Sequence, residues 1–505
     1  MSKSNNTRNQ NYLLKINNWK RKAVNRRIEN ELLKKRQKEL MLSRENWKSK
    51  YKQKKLELFE LEKTYFKLSK NKVDINKSAE KIKHHSYSSK VILFFIWLRS
   101  SSTSSLRSCR KTLEILMLVY ELEFDLKKLP SISTIQNWEK KFGYYRLYEK
   151  PVDKNEKWVL ILDESISIGR DKLLLQIGVP MSKYIFGKAL SMKDIRVLSV
   201  EIGNSWKGKA ISQTITQMEQ LGLSFSYAVS DGGLNLCNGL KESKINRVAD
   251  CTHVLGKILE NLYKKDEVYL SFVKRCNLLK KQIVLSDAAA IMPPSLRTKG
   301  KFLNLYDLSD WSIKAFKLIK QAHIPSKSSK GLDENMYKRV EWILDYETFI
   351  YSLHSQCKLL KQVQKLLKHE GLSAESQKKC KTLIEQTDTN IISQEFGDNI
   401  KGYIKENMMI VEELFKEQKI DHPIVICCSD IIESIFGKYK YQLKQGANII
   451  TDNCLTIANF SEVFSEEEVR KAMEKVKIVD LQEWKKKNCQ NNFKNRKRSL
   501  FKNVA

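Results

Sequence analysis

Trp158-Val159-Leu160-Ile161-Leu162-Asp163 is an unbroken apolar run closed by an acid. Such a run reads as a strand that carries a carboxylate at its C-terminal end. Working outward, further apolar runs bounded by polar or Gly residues occur at Leu173–Val179, Ile195–Ile202 and Phe225–Val229, and a helical stretch, Lys209–Leu221, separates the last two. A short helix and a fifth strand near Arg247–Ala249 follow.

Three strands, a helix, a fourth strand, a short helix and a fifth strand are the order of an α/β RNase H-like core, a mixed five-stranded sheet with helices. In that sheet the first and fourth strands are neighbours. Asp163 and Asp231, the latter following Phe225–Ser230, are therefore expected side by side. From about 254 to 422 the chain reads as an all-helical insertion, broken at Pro293-Pro294 and at Ser326–Gly331. The core resumes at Ile424, and Glu433 starts a helix directly after the apolar run Ile424–Cys428, with Asp430 expected as its N-cap.

Before the core, residues 1–80 are Lys-rich, and a seven-residue spacing runs through Leu33, Leu40, Trp47, Lys54, Leu61 and Leu68, with Tyr51, Leu58 and Tyr65 on the adjacent seam. This predicts a long coiled-coil helix that pairs two copies, or a basic helix lying on DNA or on its own domain. Residues 81–150 read as a helix-turn-helix-like DNA-binding domain. Its helix after Pro130, Ser131-Ile132-Ser133-Thr134-Ile135-Gln136-Asn137-Trp138, presents Gln136 and Asn137 to base edges or phosphates and sends Trp138 into the core. The expected organisation is completed by the first part of the core over 151–253, the insertion over 254–422, the rest of the core over 423–480 and a basic tail over 481–505, flexible or laid on DNA.

Composition sets the partner. Lys and Arg total 92 against 58 Asp and Glu, a formal charge of +34, which favours a polyanion through counterion release. An AT-rich coding sequence would also raise Lys, Asn and Ile, which discounts part of that charge. Ten cysteines lack the paired spacing of a zinc site, and no apolar run is long enough to span a membrane. These features exclude a disulfide framework and a membrane protein. They predict an intracellular protein with reduced thiols, nucleoid-associated in a bacterial cytoplasm or nuclear in a eukaryote.

Metal-assisted phosphoryl transfer on DNA needs clustered carboxylates that hold two divalent ions about 3.5–4 Å apart. Asp163 and Asp231 are the first two candidates, and Mg²⁺ suits an oxygen-only donor set, with Mn²⁺ as substitute. Glu164, Asp250, Asp287 and Asp430 compete for the third position. Glu433 is preferred because a packed element delivers it to the sheet edge. Lys440 lies two turns further along the same helix face, where it and Lys438 are expected to meet DNA.

Leu162-Asp163, Ser230-Asp231-Gly232-Gly233, Asp250-Cys251-Thr252-His253 and Glu433 with Lys440 together resemble the DDE transposases. Within them they resemble those with a (C/D)-x-x-H signature after the second Asp and a helical insertion before the Glu. The hAT and Mutator-like superfamilies and related bacterial insertion-sequence transposases share this layout. The resemblance covers about 156–460. It implies that Asp163, Asp231 and Glu433 hold the metal ions, with Asp250 and His253 as secondary site residues. Glu433 with Lys440 is also similar to the E-x6-K half of another insertion-sequence motif, whose Tyr and Arg are here Ile426 and Ser429. Transposases with such insertions stack a flipped base on an aromatic ring; Trp311 is the candidate here, with Trp342 as alternative, while Trp206, before Lys207-Gly208-Lys209, either lines the DNA groove or covers the sheet edge.

The expectation is thus a transposase that binds terminal inverted repeats, pairs two ends as a homodimer or larger assembly, and cleaves and joins DNA at a two-Mg²⁺ site. A nuclease or resolvase that cuts without joining, and a transposase-derived DNA-binding protein without activity, are the alternatives.

Overall fold

The computed structural model of the protein describes scattered residues between 26 and 48, residue 82, and residues 85–502 apart from 120–127, 167–170, 184–186, 296–300, 323–333, 388–392, 417–423, 444–449, 462 and 490–492. The chain divides into two units, Met1–Ser78 and Ala79–Ala505. In the first, the described residues are helical and Trp47 is exposed. The other positions of the heptad pattern lie outside the described residues.

The second unit is built on a mixed five-stranded sheet. Its strands are β1 (Lys157–Ile166), β2 (Lys172–Pro180), β3 (Arg196–Gly203), β4 (Ser224–Ser230) and β5 (Arg247–Ala249), in the spatial order β3-β2-β1-β4-β5. β2 runs antiparallel to β1 and β3, whereas β1, β4 and β5 are parallel. This is consistent with an RNase H-like core carrying helical additions, and every expected strand is present. β1 is longer than the apolar run suggested, so Asp163 sits inside the strand rather than at its end.

Period-2 alternation sorts the sheet's side chains. Trp158, Leu160 and Leu162 join Leu174, Leu198 and Ala228 on one face. Helices α4 (Gly208–Gln220) and α5 (Leu234–Glu242) cover it with Ile211, Ile215, Met218, Leu236 and Leu240. These two helices touch closely: a β-carbon on Gly239 would lie 2.7 Å from Cβ of Ile211. Val159, Ile161, Ile177, Tyr227, Val229 and Val248 point to the opposite face, into the main core. Leu160 and Leu162 are fully buried, a contribution of about 1.5–3 kcal/mol each.

Ahead of the sheet come α1 (Ser89–Ser101), α2 (Leu106–Val119) and α3 (Ile132–Tyr144). Ser131 caps α3 by accepting from the Thr134 amide at 3.1 Å, and Trp138 is buried against Tyr87 and Phe95. After β5 the chain is helical: α6 (Cys251–Tyr263), α7 (Glu267–Ile283), α8 (Lys301–Ala322), α9 (Glu334–Val340), α10 (Glu347–Glu370), α11 (Ala374–Glu385) and α12 (Gln394–Lys416). α13 (Asp430–Gln442) returns the chain to β1.

The run Ile424–Cys428, which resembles a strand in sequence, joins no sheet. Val425 makes a single bridge to Leu372, the Ile426 amide donates to the Tyr227 hydroxyl at 2.8 Å, and the Cys427 carbonyl accepts from the Cys251 amide at 2.8 Å. These tertiary partners take up backbone groups that a neighbouring strand would have used. Beyond it, α14 (Glu466–Lys475), α15 (Ile478–Cys489) and α16 (Phe493–Lys502) close the fold. The described part of the region expected as a basic tail, flexible or laid on DNA, is helical, and Leu481, Trp484 and Cys489 fix α15 in the core.

Candidate active site

β1 and β4 pair in parallel, with Ile161 opposite Val229. Two residues further along each strand direction stand Asp163 and Asp231. Alternation turns Asp163 to the face shared by Val159 and Ile161, away from α4 and α5. The Glu164 amide donates to Oδ1 of Asp163 at 2.7 Å, and the Gly233 amide donates to Oδ1 of Asp231 at 2.9 Å. Both carboxylates are therefore oriented by backbone close to them in sequence.

α6 and α13 bring the remaining groups to the same face. Asp250 caps α6, accepting from the Thr252 amide at 3.1 Å, and is fully buried. Its Oδ2 accepts from the Ser429 hydroxyl at 2.7 Å and lies 2.5 Å from Nδ1 of His253. Nε2 of His253 reaches 3.8 Å from Oε1 of Glu433. A continuous chain, Ser429–Asp250–His253–Glu433, thereby ties the start of α6 to the first turn of α13. Ser429, not Asp430, occupies the cap position of α13; Asp430 is its first helical residue and accepts from Nζ of Lys368 at 2.7 Å.

Electrostatics confirm that these groups sense one another. Burial, and next the charge of Asp231, push Asp163 up to about 7, with Glu433 adding to the rise and His253 opposing it. His253 is raised to about 9, first by its bond to Asp250, with Glu433 and Asp231 contributing charge. Glu433 is raised by desolvation, against the pull of His253. Crowded acids with raised proton affinity around one imidazolium have a deficit of positive charge.

Asp163 on β1, Asp231 just after β4 and Glu433 in the first turn of α13 offer carboxylate oxygens, the donor type a hard divalent cation takes, but the three do not all come within 4.8 Å of one another in this arrangement. Glu164 is engaged instead by Nζ of Lys172 at 2.7 Å. Asp250 lies within 4.8 Å of the thiols of Cys251 and Cys428 through their potential ligand atoms, a fully buried group. Its oxygens already accept from Thr252, Ser429 and His253.

The other sequence candidates separate. Lys440 and Glu433 share the exposed stripe of α13, with Ser434 and Gly437 between them. Lys438 turns the other way: it donates to the Ser100 carbonyl, lies over the Phe460 ring at 5.0 Å, and burial lowers its proton affinity. Gln136 donates to Asn453 at 2.8 Å, and Asn137 beside it is half-buried. Trp206 is buried and donates to the Lys172 carbonyl at 3.4 Å. Trp311 packs near Phe272 and donates to the Ile291 carbonyl at 3.0 Å, while Trp342 stacks edge-on against Phe272 and under Arg275. Sequence reasoning missed Ser429 and Lys368. Neither carries a local signal, because their partners lie 179 and 62 residues away.

No described helix is long and apolar enough to cross a membrane. No family profile and no curated protein matches this chain. Among solved structures it is similar to the Drosophila P element transposase strand transfer complex, at 13% identity over 81% of this chain and 98% of that one, with a TM-score of 0.39.

Proposed function

We propose that the protein is a DDE transposase that cleaves DNA at the ends of its element and joins the freed 3′ hydroxyls to target DNA. The observation that supports this is the convergence of groups distant in sequence on one face: the charges of Asp231 and Glu433 both raise the proton affinity of Asp163, and His253, bonded to Asp250, lies 3.8 Å from Glu433. The strong basic charge of the chain supplies the affinity for its substrate.

Asp163, Asp231 and Glu433 would hold Mg²⁺, with Mn²⁺ as substitute. Bound there, the two ions would activate the attacking hydroxyl and absorb charge at the leaving oxygen. The chain's own residues set the geometry. Asp163 and Asp231 are fixed by adjacent strands and by amide donors. Glu433 stands half-exposed on α13, and His253 holds a proton between it and Asp250. Lys440, on the same exposed stripe as Glu433, binds the phosphate backbone beside the cut. The N-terminal helix pairs two copies, and the helices over 81–150 bind the terminal repeats.

The test is cleavage and strand transfer on labelled DNA from the gene's own flanks, with Mg²⁺, comparing wild type with Asp163→Ala and Glu433→Ala. Joining of label to a target plasmid, lost by at least a hundredfold in both variants, is expected. Cleavage without joining identifies a nuclease instead, and binding with neither activity a DNA-binding derivative.

A further inference from the structure

The helix α16 carries no acid of its own. After Glu483 the sequence contains no acid, while Lys485, Lys486, Lys487, Lys494, Arg496, Lys497, Arg498 and Lys502 supply eight cations. Cations recur at a four-residue spacing at 494, 498 and 502, which in a helix places like charges on neighbouring turns and costs a few tenths of a kcal/mol per pair. Asn495 and residues 497–501 are exposed, including Leu500 and Phe501. A helix that is polar nearly all round and lacks acid–base pairs has little reason to stay ordered alone.

The fold nevertheless holds it in one place. Nη2 of Arg496 donates to Oδ1 of Asp171 at 2.8 Å, and the Asp171 side chain is 3% exposed. A buried carboxylate is costly unless it is paired, so this contact is a specific anchor. Its position is informative. Asp171 immediately precedes β2, whose first residue, Lys172, pairs with Ile166 at the end of β1 and bridges to Glu164. Ile166 is three residues beyond Asp163, about 10 Å along an extended strand. The anchor thus fixes the exposed cations Lys497 and Arg498 at the β1–β2 end of the sheet.

We infer that α16 is a clamp for the sugar-phosphate backbone of duplex DNA. The inference rests on the DNA-processing reading above and adds a binding surface to it. Lys497 and Arg498 make the contacts, Arg496 sets the helix in place, and the exposed Phe501, with Lys497 5.9 Å from its ring, borders the surface.

The test measures binding of the full-length protein to a fluorescent 30-base-pair duplex by anisotropy between 50 and 300 mM salt, about the range over which counterion release is resolved. Three proteins are compared: wild type, Lys497→Gln/Arg498→Gln, and Lys378→Gln/Lys381→Gln, a control pair on exposed turns of α11. The expected result is that the α16 pair lowers the log–log salt slope by roughly 1.5–2 while the α11 pair leaves it unchanged, with thermal melts of all three superimposed. An unchanged slope in the α16 pair, or an equal loss in both pairs, overturns the clamp while leaving the DNA reading intact. No salt-dependent binding by wild type would remove both.

Discussion

Asp163 carries a proton in the fold at a pH where the unfolded chain has released it. Its pKa rises from 3.8 to about 7, so between roughly pH 4 and 7 the native state binds the extra proton, and stability falls as pH increases through that window. His253, raised from 6.5 to about 9, contributes stability that is complete below 6.5 and lost as pH passes 9. The two slopes have the same sign. With divalent cations removed by EDTA, the melting temperature is therefore expected to fall from pH 6 to pH 9. Asp163→Asn should melt about 2–5 °C above wild type at pH 8. A flat wild-type profile in thermal melts would contradict the crowded-acid picture. The same geometry explains what was legible at this scale: an acid following an apolar run is visible in one dimension, and Asp163 and Asp231 are of that kind. Ser429 is not, because an isolated Ser acquires its role only when Asp250 is folded against it.

Among the elements, the end of α10 is tightly constrained. Gly371 terminates it at φ +72°, and a β-carbon there would lie 2.8 Å from the Val425 carbonyl oxygen. This turn places Leu372 for its bridge to Val425, the contact that guides the chain into α13 and Glu433. Gly371→Ala combines left-handed strain with a backbone collision, so a loss of about 1–3 kcal/mol is expected in urea unfolding. Strand positions were readable because apolar runs of five to eight residues alternate with polar breaks, but the end of β1, which carries Asp163 and Glu164 inside the strand, was not. The run Ile424–Cys428 has the same appearance, but its backbone is taken up by Leu372, Tyr227 and Cys251 instead of a neighbouring strand. α15 was obscured by its Lys-rich composition, since only Leu481, Trp484 and Cys489 mark its buried side.

At the scale of the whole molecule, the proposed function has three acids from distant parts of the chain share one ligand, which should then stabilise all of it. Mg²⁺ or Mn²⁺ at a hundred times its dissociation constant is expected to add about 2.7 kcal/mol to wild type, read as a rise in melting temperature. Asp163→Asn/Asp231→Asn should lose that rise. An equal rise in the double variant would place the cations elsewhere. The insertion also has a consequence in time. Asp231 and Glu433 are separated by 202 residues of mostly helical chain. At synthesis rates of 5–20 residues per second, about 10–40 s pass between the emergence of the second acid and the third. A nascent chain whose sheet has already formed lacks Glu433 throughout that interval, so under the proposed function it would hold two of its three acids and no complete site.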